Sequence, residues 1–377
     1  MSLQTAPQTP PLAPPVIPAP QLSPAPTASG GWLLQTARLT GWMLFLARRR
    51  LIGKVLLGVL IGVFLLIVAI TMIIYFETAN AQVSSGSNCQ TVVQPPGTSS
   101  SSTAPGGGAS TTVVCQQPSQ AQIQQQQQAQ QQAQQQGADA VRDATLVFPS
   151  DLVVAGTYTS YMGVFLICIM AGALVGGEYG YSVLRLSISR GVSRSQHFIA
   201  QSAALAILSL AVAAVMLLLG ALIGVTIGPA LGGSLLAPSL RGVGELIVYW
   251  LALGLNLFVY TLIAQCFATL GKSALAGIGV PLAYLLLEVV AGAIISVIGT
   301  VLTLAQNPSG PFVQHIPDWF LGTNVGSLVK DAGQYPYNLA FGTAPVSTTH
   351  ALLVTLAYCA ALIAVGYLVF RSRDITD

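Results

Sequence analysis

Apolar and polar positions fall in long blocks along this chain, not in the short alternation of a soluble fold. Six apolar runs stand out: Val55–Phe76, Leu152–Gly177, Phe198–Gly228, Leu246–Leu270, Ala274–Leu304 and Ala351–Phe370. The first holds 22 residues without a charge, about 33 Å of helix at 1.5 Å per residue, enough to cross a hydrocarbon core of about 30 Å. Each of the others is also long enough, so the pattern predicts six transmembrane helices. Gly220, Gly224 and Pro281 inside the runs are compatible with membrane helices that pack against neighbours. The apolar core of the first run is too long for a cleaved signal.

The blocks between the runs differ in kind. Residues 1–31 are proline-rich and predict a tail that cannot bury enough surface to fold. Trp32 to Leu46 is apolar and closes on Arg48, Arg49, Arg50 and Lys54, which predicts an amphipathic helix lying in the interface over 32–54. Residues 77–151 are rich in Ser, Thr, Gly, Pro and Gln, with QIQQQQQAQQQAQQQ at their centre. Gln and Ala favour helix, but this tract has no apolar stripe to pack, so it reads as a low-complexity insertion outside the membrane. The segment 305–349 between the last two runs predicts short interfacial helices and turns. The fold class is therefore an all-α membrane protein.

Composition agrees. The chain of 377 residues is 53% hydrophobic and 7% charged, with a mean hydropathy of +0.70. A soluble domain carries about 25% charged residues. The net charge of +3 does not argue for nucleic acid, because the basic residues sit beside the apolar runs, as membrane topology requires. With the N-terminus in the cytoplasm, eleven basic residues fall inside: Arg38, Arg48, Arg49, Arg50, Lys54, Arg185, Arg190, Arg194, Lys272, Arg371 and Arg373. Three fall outside, Arg142, Arg241 and Lys330. This positive-inside bias places both termini in the cytoplasm and residues 77–151 and 305–349 on the far side. Cys168, Cys266 and Cys359 then lie within spans as small apolar side chains. Cys89 and Cys115 lie in an oxidising compartment, where a disulfide between them is expected.

The one sizeable internal loop on the basic side, 178–196, concentrates charge: GGEYGYSVLRLSISRGVSRSQ runs from Gly176 to Gln196. Leu184, Ile188 and Val192 share a helix face, Gly191 suits a left-handed helix stop beside Arg190, and Ser193 with Gln196 forms a capping box that opens the third span. These signals predict a short basic helix along the membrane surface; the arginines alone fit an ordinary positive-inside loop equally well. The stretch also resembles the cytoplasmic loop of the permease subunits of type-2 ABC exporters. Gly177 and Glu178, Leu184 and Arg185, Ser189-Arg190-Gly191 and Ser193-Arg194 match that family's pattern, while Ser182-Val183 stands where it has Gly-Thr. The close YLVFRSRDITD and the large insertion between spans one and two are similar to the family as well. The resemblance implies a coupling helix that docks on a separate ATPase, with Arg185, Arg190 and Arg194 making charge-assisted contacts and Glu178 pinning the loop. It also implies a dimer of permeases in a prokaryotic inner membrane, and ATP-Mg held by the partner ATPase with no cofactor in this chain.

No enzyme site is expected. Gly271-Lys272-Ser273 imitates the end of a phosphate loop, but Cys266 stands where its first glycine belongs. His197, His315 and His350 have no metal-ligand spacing. Glu288, near the middle of the fifth run, is costly in hydrocarbon. It predicts either a contact with substrate or a second copy, or a hydrogen bond to a neighbour such as Asn256 or Gln265. The other reading of the whole chain is a membrane-anchored structural or secretion-associated protein whose glutamine-rich segment is the working part.

Overall fold

The computed structural model describes residues 31–80, 145–180, 192–232, 240–334 and 344–372, together with Gln124, Gln128, Gln132, Gln136, Asp139, Arg142 and Asp143. Among the described residues every regular element is helical. Six helices are long and apolar enough to cross a membrane, so the chain is a multi-pass membrane protein. The proline-rich tail, Cys89, Cys115, Arg185, Arg190 and Gly191 lie outside the described residues.

Helix α1 (Trp32–Arg49) breaks from α2 (Leu51–Asn80) at Arg50, whose backbone turns extended. Helix α1 is thus shorter than the predicted 32–54, and α2 is longer than the predicted span 55–76. Arg50 secures the break by donating from Nη1 to the carbonyls of Ala173 and Leu174, at 3.2 and 3.5 Å. The buried face of α1 is Thr36, Thr40 and Met43, at i, i+4 and i+7. It packs on Ala200 and Ala204, and the Thr40 hydroxyl donates to the Ala200 carbonyl at 3.4 Å.

The second span is α3 (Ser150–Tyr158), a π turn (Thr159–Gly163) and α4 (Val164–Gly180) in one continuous rod. Then follow α5 (Arg194–Ala230), α6 (Leu240–Gly271) and α7 (Ala274–Leu304). At the hairpin between α6 and α7, Lys272 takes a positive φ of 49° and the Ser273 hydroxyl caps α7 by accepting from Ala276 N–H. Helix α6 is the central post: Leu253, Leu257, Val259, Ala264 and Ala268 are fully buried. Glycine lets backbones meet around it. A Cβ on Gly172 would lie 2.5 Å from the Gly277 carbonyl carbon, and one on Gly176 would lie 2.3 Å from Ala274 N and Cα. Helices α4 and α7 therefore touch backbone to backbone.

After α7 the chain forms short helices and turns that pack back on α7. Gly310 packs on Thr303, Gly299 on Gln314, Gly292 faces Phe320 and Gly322 meets Glu288. The chain therefore runs back along α7 through α8 (Gly310–Gln314) and a 3-10 turn (Ile316–Trp319). From Thr303 to Glu288 that is about 22 Å. It then reverses into α9 (Leu321–Gln334), which climbs beside α6 from Tyr260 to Tyr249. This re-entrant hairpin is held by Leu321, Val325, Leu328 and Val329, all buried. Helix α10 (Thr348–Ser372) completes the fold.

Helix α7 has only its inner face covered. Leu286, Leu287, Val289, Ile294 and Val297 are each more than half exposed on the other face. At about 2 kcal/mol per side chain left in water, five of them would cost about 10 kcal/mol, comparable to a whole domain's net stability. Such a face requires lipid or another protein. Backbone helix is present at Gln124, Gln128, Gln132 and Gln136 of the glutamine tract. Arg142 follows it, pairs with Asp139 at 2.8 Å and Asp143 at 2.9 Å, and donates to the Leu231 carbonyl at 3.2 Å. The hydrogen bond with Asp143 raises the Arg142 pKa further above the ordinary guanidinium value.

Candidate functional site

The polar residues of the basic side converge at the two ends of the 181–191 segment. Glu178 closes α4. Its Oε2 accepts from His197 Nε2 and from Gln201 Nε2, both at 3.0 Å. His197 and Gln201 belong to the first turns of α5, so the carboxylate staples the loop's exit to its entry. Behind Gln201 the chain of donors continues: Gln265 Nε2 on α6 donates to Gln201 Oε1 at 3.1 Å, and the Ser202 hydroxyl donates to Gln265 Oε1 at 3.0 Å. The amide dipoles of Gln265 and Gln201 thus align toward one anion, which polarises each bond. His197, Gln201 and Gln265 are all at most 8% exposed. A buried network of this kind is costly when any member is missing.

Three further contacts fix the same end. The capping box is present: Gln196 N–H donates to Ser193 Oγ, and Ser193 N–H donates to Gln196 Oε1, both at 3.2 Å. Gln196 Nε2 also reaches Gln35 Oε1 on α1 at 3.2 Å. Arg194 Nη1 donates to the Arg371 carbonyl at the end of α10, at 3.1 Å, where a cation suits the helix's negative terminus. The His197 ring stacks on Phe370 at 5.9 Å. Helices α1, α4, α5, α6 and α10 are therefore joined where the loop begins and ends. Glu178 and Arg194 are the two loop residues of the predicted set that fall within the described chain. His197 and Gln201 were not read from the sequence, although glutamine and histidine at the start of an apolar run were an available signal.

Glu288 is bonded elsewhere than to Asn256 or Gln265. Its Oε1 accepts from Gly322 N–H in the first turn of α9. The Tyr260 and Tyr284 hydroxyls lie beside the carboxyl, while Oε2 is buried without a hydrogen bond of good geometry. Depth explains the correction for Gln265, which stands six residues before Gly271 while Glu288 stands fourteen past Ala274. At 1.5 Å per residue that is about 9 Å against about 21 Å from the shared hairpin. Asn256 is level with Glu288 and buried, but Glu288 takes the N-terminus of α9, a favourable donor for a carboxylate. A second membrane acid was missed. Asp151 is 3% exposed and neither carboxyl oxygen finds a side-chain or backbone donor of good geometry. It packs on bare Gly224, whose Cβ would lie 2.4 Å from its Cγ.

Cys168, Cys266 and Cys359 are buried free thiols. Among the described residues no group of three or more His, Cys, Asp or Glu could hold a metal ion. Comparison with known proteins finds no family model, no curated protein and no solved structure that matches this chain.

Proposed function

We propose that the chain is the permease subunit of an ABC exporter, working as a dimer and driven by a separate ATPase that docks on the 178–196 loop. The observation that carries this reading is the Glu178 staple. Positive-inside topology needs arginines in a loop, but it does not need the loop's two ends locked to each other and to three other helices. A loop that must transmit force does need that. The resemblance of Gly176–Gln196 to the coupling loop of type-2 permeases supports the same assignment, as does the bias of basic residues, which makes the loop side cytoplasmic.

A continuous route leads onward from the staple. Force on the loop acts on α4 and α5 together, because Glu178 binds one to the other. Helix α4 meets α7 through Gly172 and Gly176 with no side chain between them to absorb the movement. Helix α7 in turn holds α9 by the Glu288 contact to Gly322. Nucleotide chemistry takes place on the partner, and this chain supplies the docking loop, the lever and the pathway. The test is stimulation of the partner's ATPase in purified complex by transported substrate. Arg185→Ala and Glu178→Ala should each abolish stimulation while leaving the six-span fold intact; stimulation at the native level in both variants would overturn the assignment.

A further inference from the structure

On the side away from the loop, α6, α9 and α10 splay apart around an open cleft of about 620 Å³. Its walls are apolar: Val248, Leu251 and Leu255 from α6, Leu328 from α9 and Leu352 from α10. The charges gather at one end, with Arg241 and Glu245 on α6 and Asp331 on α9. From Arg241 to Leu255 the cleft follows fourteen residues of helix, about 21 Å, which exceeds the roughly 15 Å depth of one leaflet's hydrocarbon. An extended acyl chain therefore fits its length.

The rim carries both signs in an open arrangement. The Arg241 side chain is 85% exposed and bonds Glu245 Oε1 through Nε at 3.0 Å, leaving its Nη groups without a partner among the described residues. Asp331 Oδ2 is taken by the Thr348 hydroxyl at 2.5 Å, and Oδ1 has no partner among the described residues. A guanidinium with free paired donors recognises phosphate. A carboxylate with a free oxygen recognises a primary ammonium, which supplies N–H donors that a quaternary one lacks.

We infer that this cleft is a lipid site, holding one acyl chain of a zwitterionic phospholipid whose phosphate meets Arg241 and whose primary amine meets Asp331. The inference does not depend on the chain being an exporter subunit. It distinguishes the cleft from the exposed face of α7, which is apolar along its length and would contact lipid of any headgroup.

The test is native mass spectrometry of the full chain released from nanodiscs of equal phosphatidylethanolamine and phosphatidylglycerol. The native protein should retain the ethanolamine lipid over the glycerol lipid by about fivefold, the size one exposed ion pair gives. Ala252→Trp, which fills the wall, should abolish that retained lipid, and Val297→Trp on α7 should not. Asp331→Asn, which removes the charge that meets the amine and keeps an oxygen for the Thr348 hydroxyl, should erase the preference. Equal retention of the two lipids by the native chain, or an unchanged preference in Asp331→Asn, would overturn the site. So would retention by Ala252→Trp at the native level, which would mean a second copy or annular lipid accounts for the adducts.

Discussion

Replacing Glu178 by alanine removes the acceptor at the centre of the loop anchor. Two hydrogen bonds are lost, from His197 Nε2 and Gln201 Nε2, and both donors are left in a site where the histidine is 1% and the glutamine 8% exposed. Bonds to a charged acceptor are worth about 1.5–3 kcal/mol each when the partner is deleted. The lower bound for the pair is about 3 kcal/mol, because the Glu178 side chain retains 12% exposure and water can replace part of the loss. At about 1.4 kcal/mol per factor of ten, local opening of the last turn of α4 and the first turn of α5 becomes roughly a hundredfold more frequent. Hydrogen exchange of amides 176–180 and 196–201 in detergent reads that opening directly. Glu178→Gln, which keeps one acceptor oxygen, should fall between the native chain and Glu178→Ala. Native exchange rates at both turns in Glu178→Ala would show that the staple does not hold the loop, and the force route would fail with it.

The remaining predictions test the other links. Gly176→Ala places a methyl 2.3 Å from Ala274 backbone atoms, and overpacking against backbone costs about 1–3 kcal/mol or more; a lower melting temperature in detergent is expected, and an unchanged one would refute the close crossing. Gly224→Ala should destabilise likewise, since its methyl would lie 2.4 Å from Asp151 Cγ, and Asp151→Ala in the same chain should restore most of the loss, a non-additivity that only direct contact gives. Glu288→Gln keeps an oxygen for Gly322 N–H and should leave thermal stability near native, whereas Glu288→Leu should cost about 0.5–2 kcal/mol as a lost helix cap. Equal stability of the two variants would mean the carboxyl does not cap α9. Ser193→Ala should cost about 1 kcal/mol and fray the start of α5, measured by exchange at Gln196.

Much of this fold was legible because its strongest signals are local. The six spans follow from run length and charge exclusion, and Ser193 with Gln196 signalled the start of α5 at the residue where it begins. The resemblance implies that Glu178 pins the loop; the structure gives it bonds from His197 and Gln201 of α5. What escaped notice depends on contacts between distant segments. The packing of the segment after α7 against α7 and α6 is not visible in a stretch that reads as short interfacial helices and turns, although Leu321, Val325, Leu328 and Val329 lie at i, i+4, i+7 and i+8. For Glu288 the sequence leaves open a contact with substrate or a second copy, or a hydrogen bond to a neighbour such as Asn256 or Gln265; the N-terminus of α9 is invisible until the hairpin is known. Asp151 was passed over at the boundary of a run, where an acid reads as solvated. Its burial comes from Gly224, seventy-three residues away, and no local pattern reports that.

We propose that the 178–196 loop is the seat of a separate ATPase. The direct test is purification of the full chain from its native membrane in mild detergent, with the copurifying proteins identified and quantified. The expected result is a soluble-type ATPase bearing an intact GxxxxGK[ST] loop, close to one copy per chain, and its loss when Arg185 and Arg194 are both replaced by glutamate. An intact chain that repeatedly arrives with no ATPase would contradict the account and leave those arginines as topology signals alone.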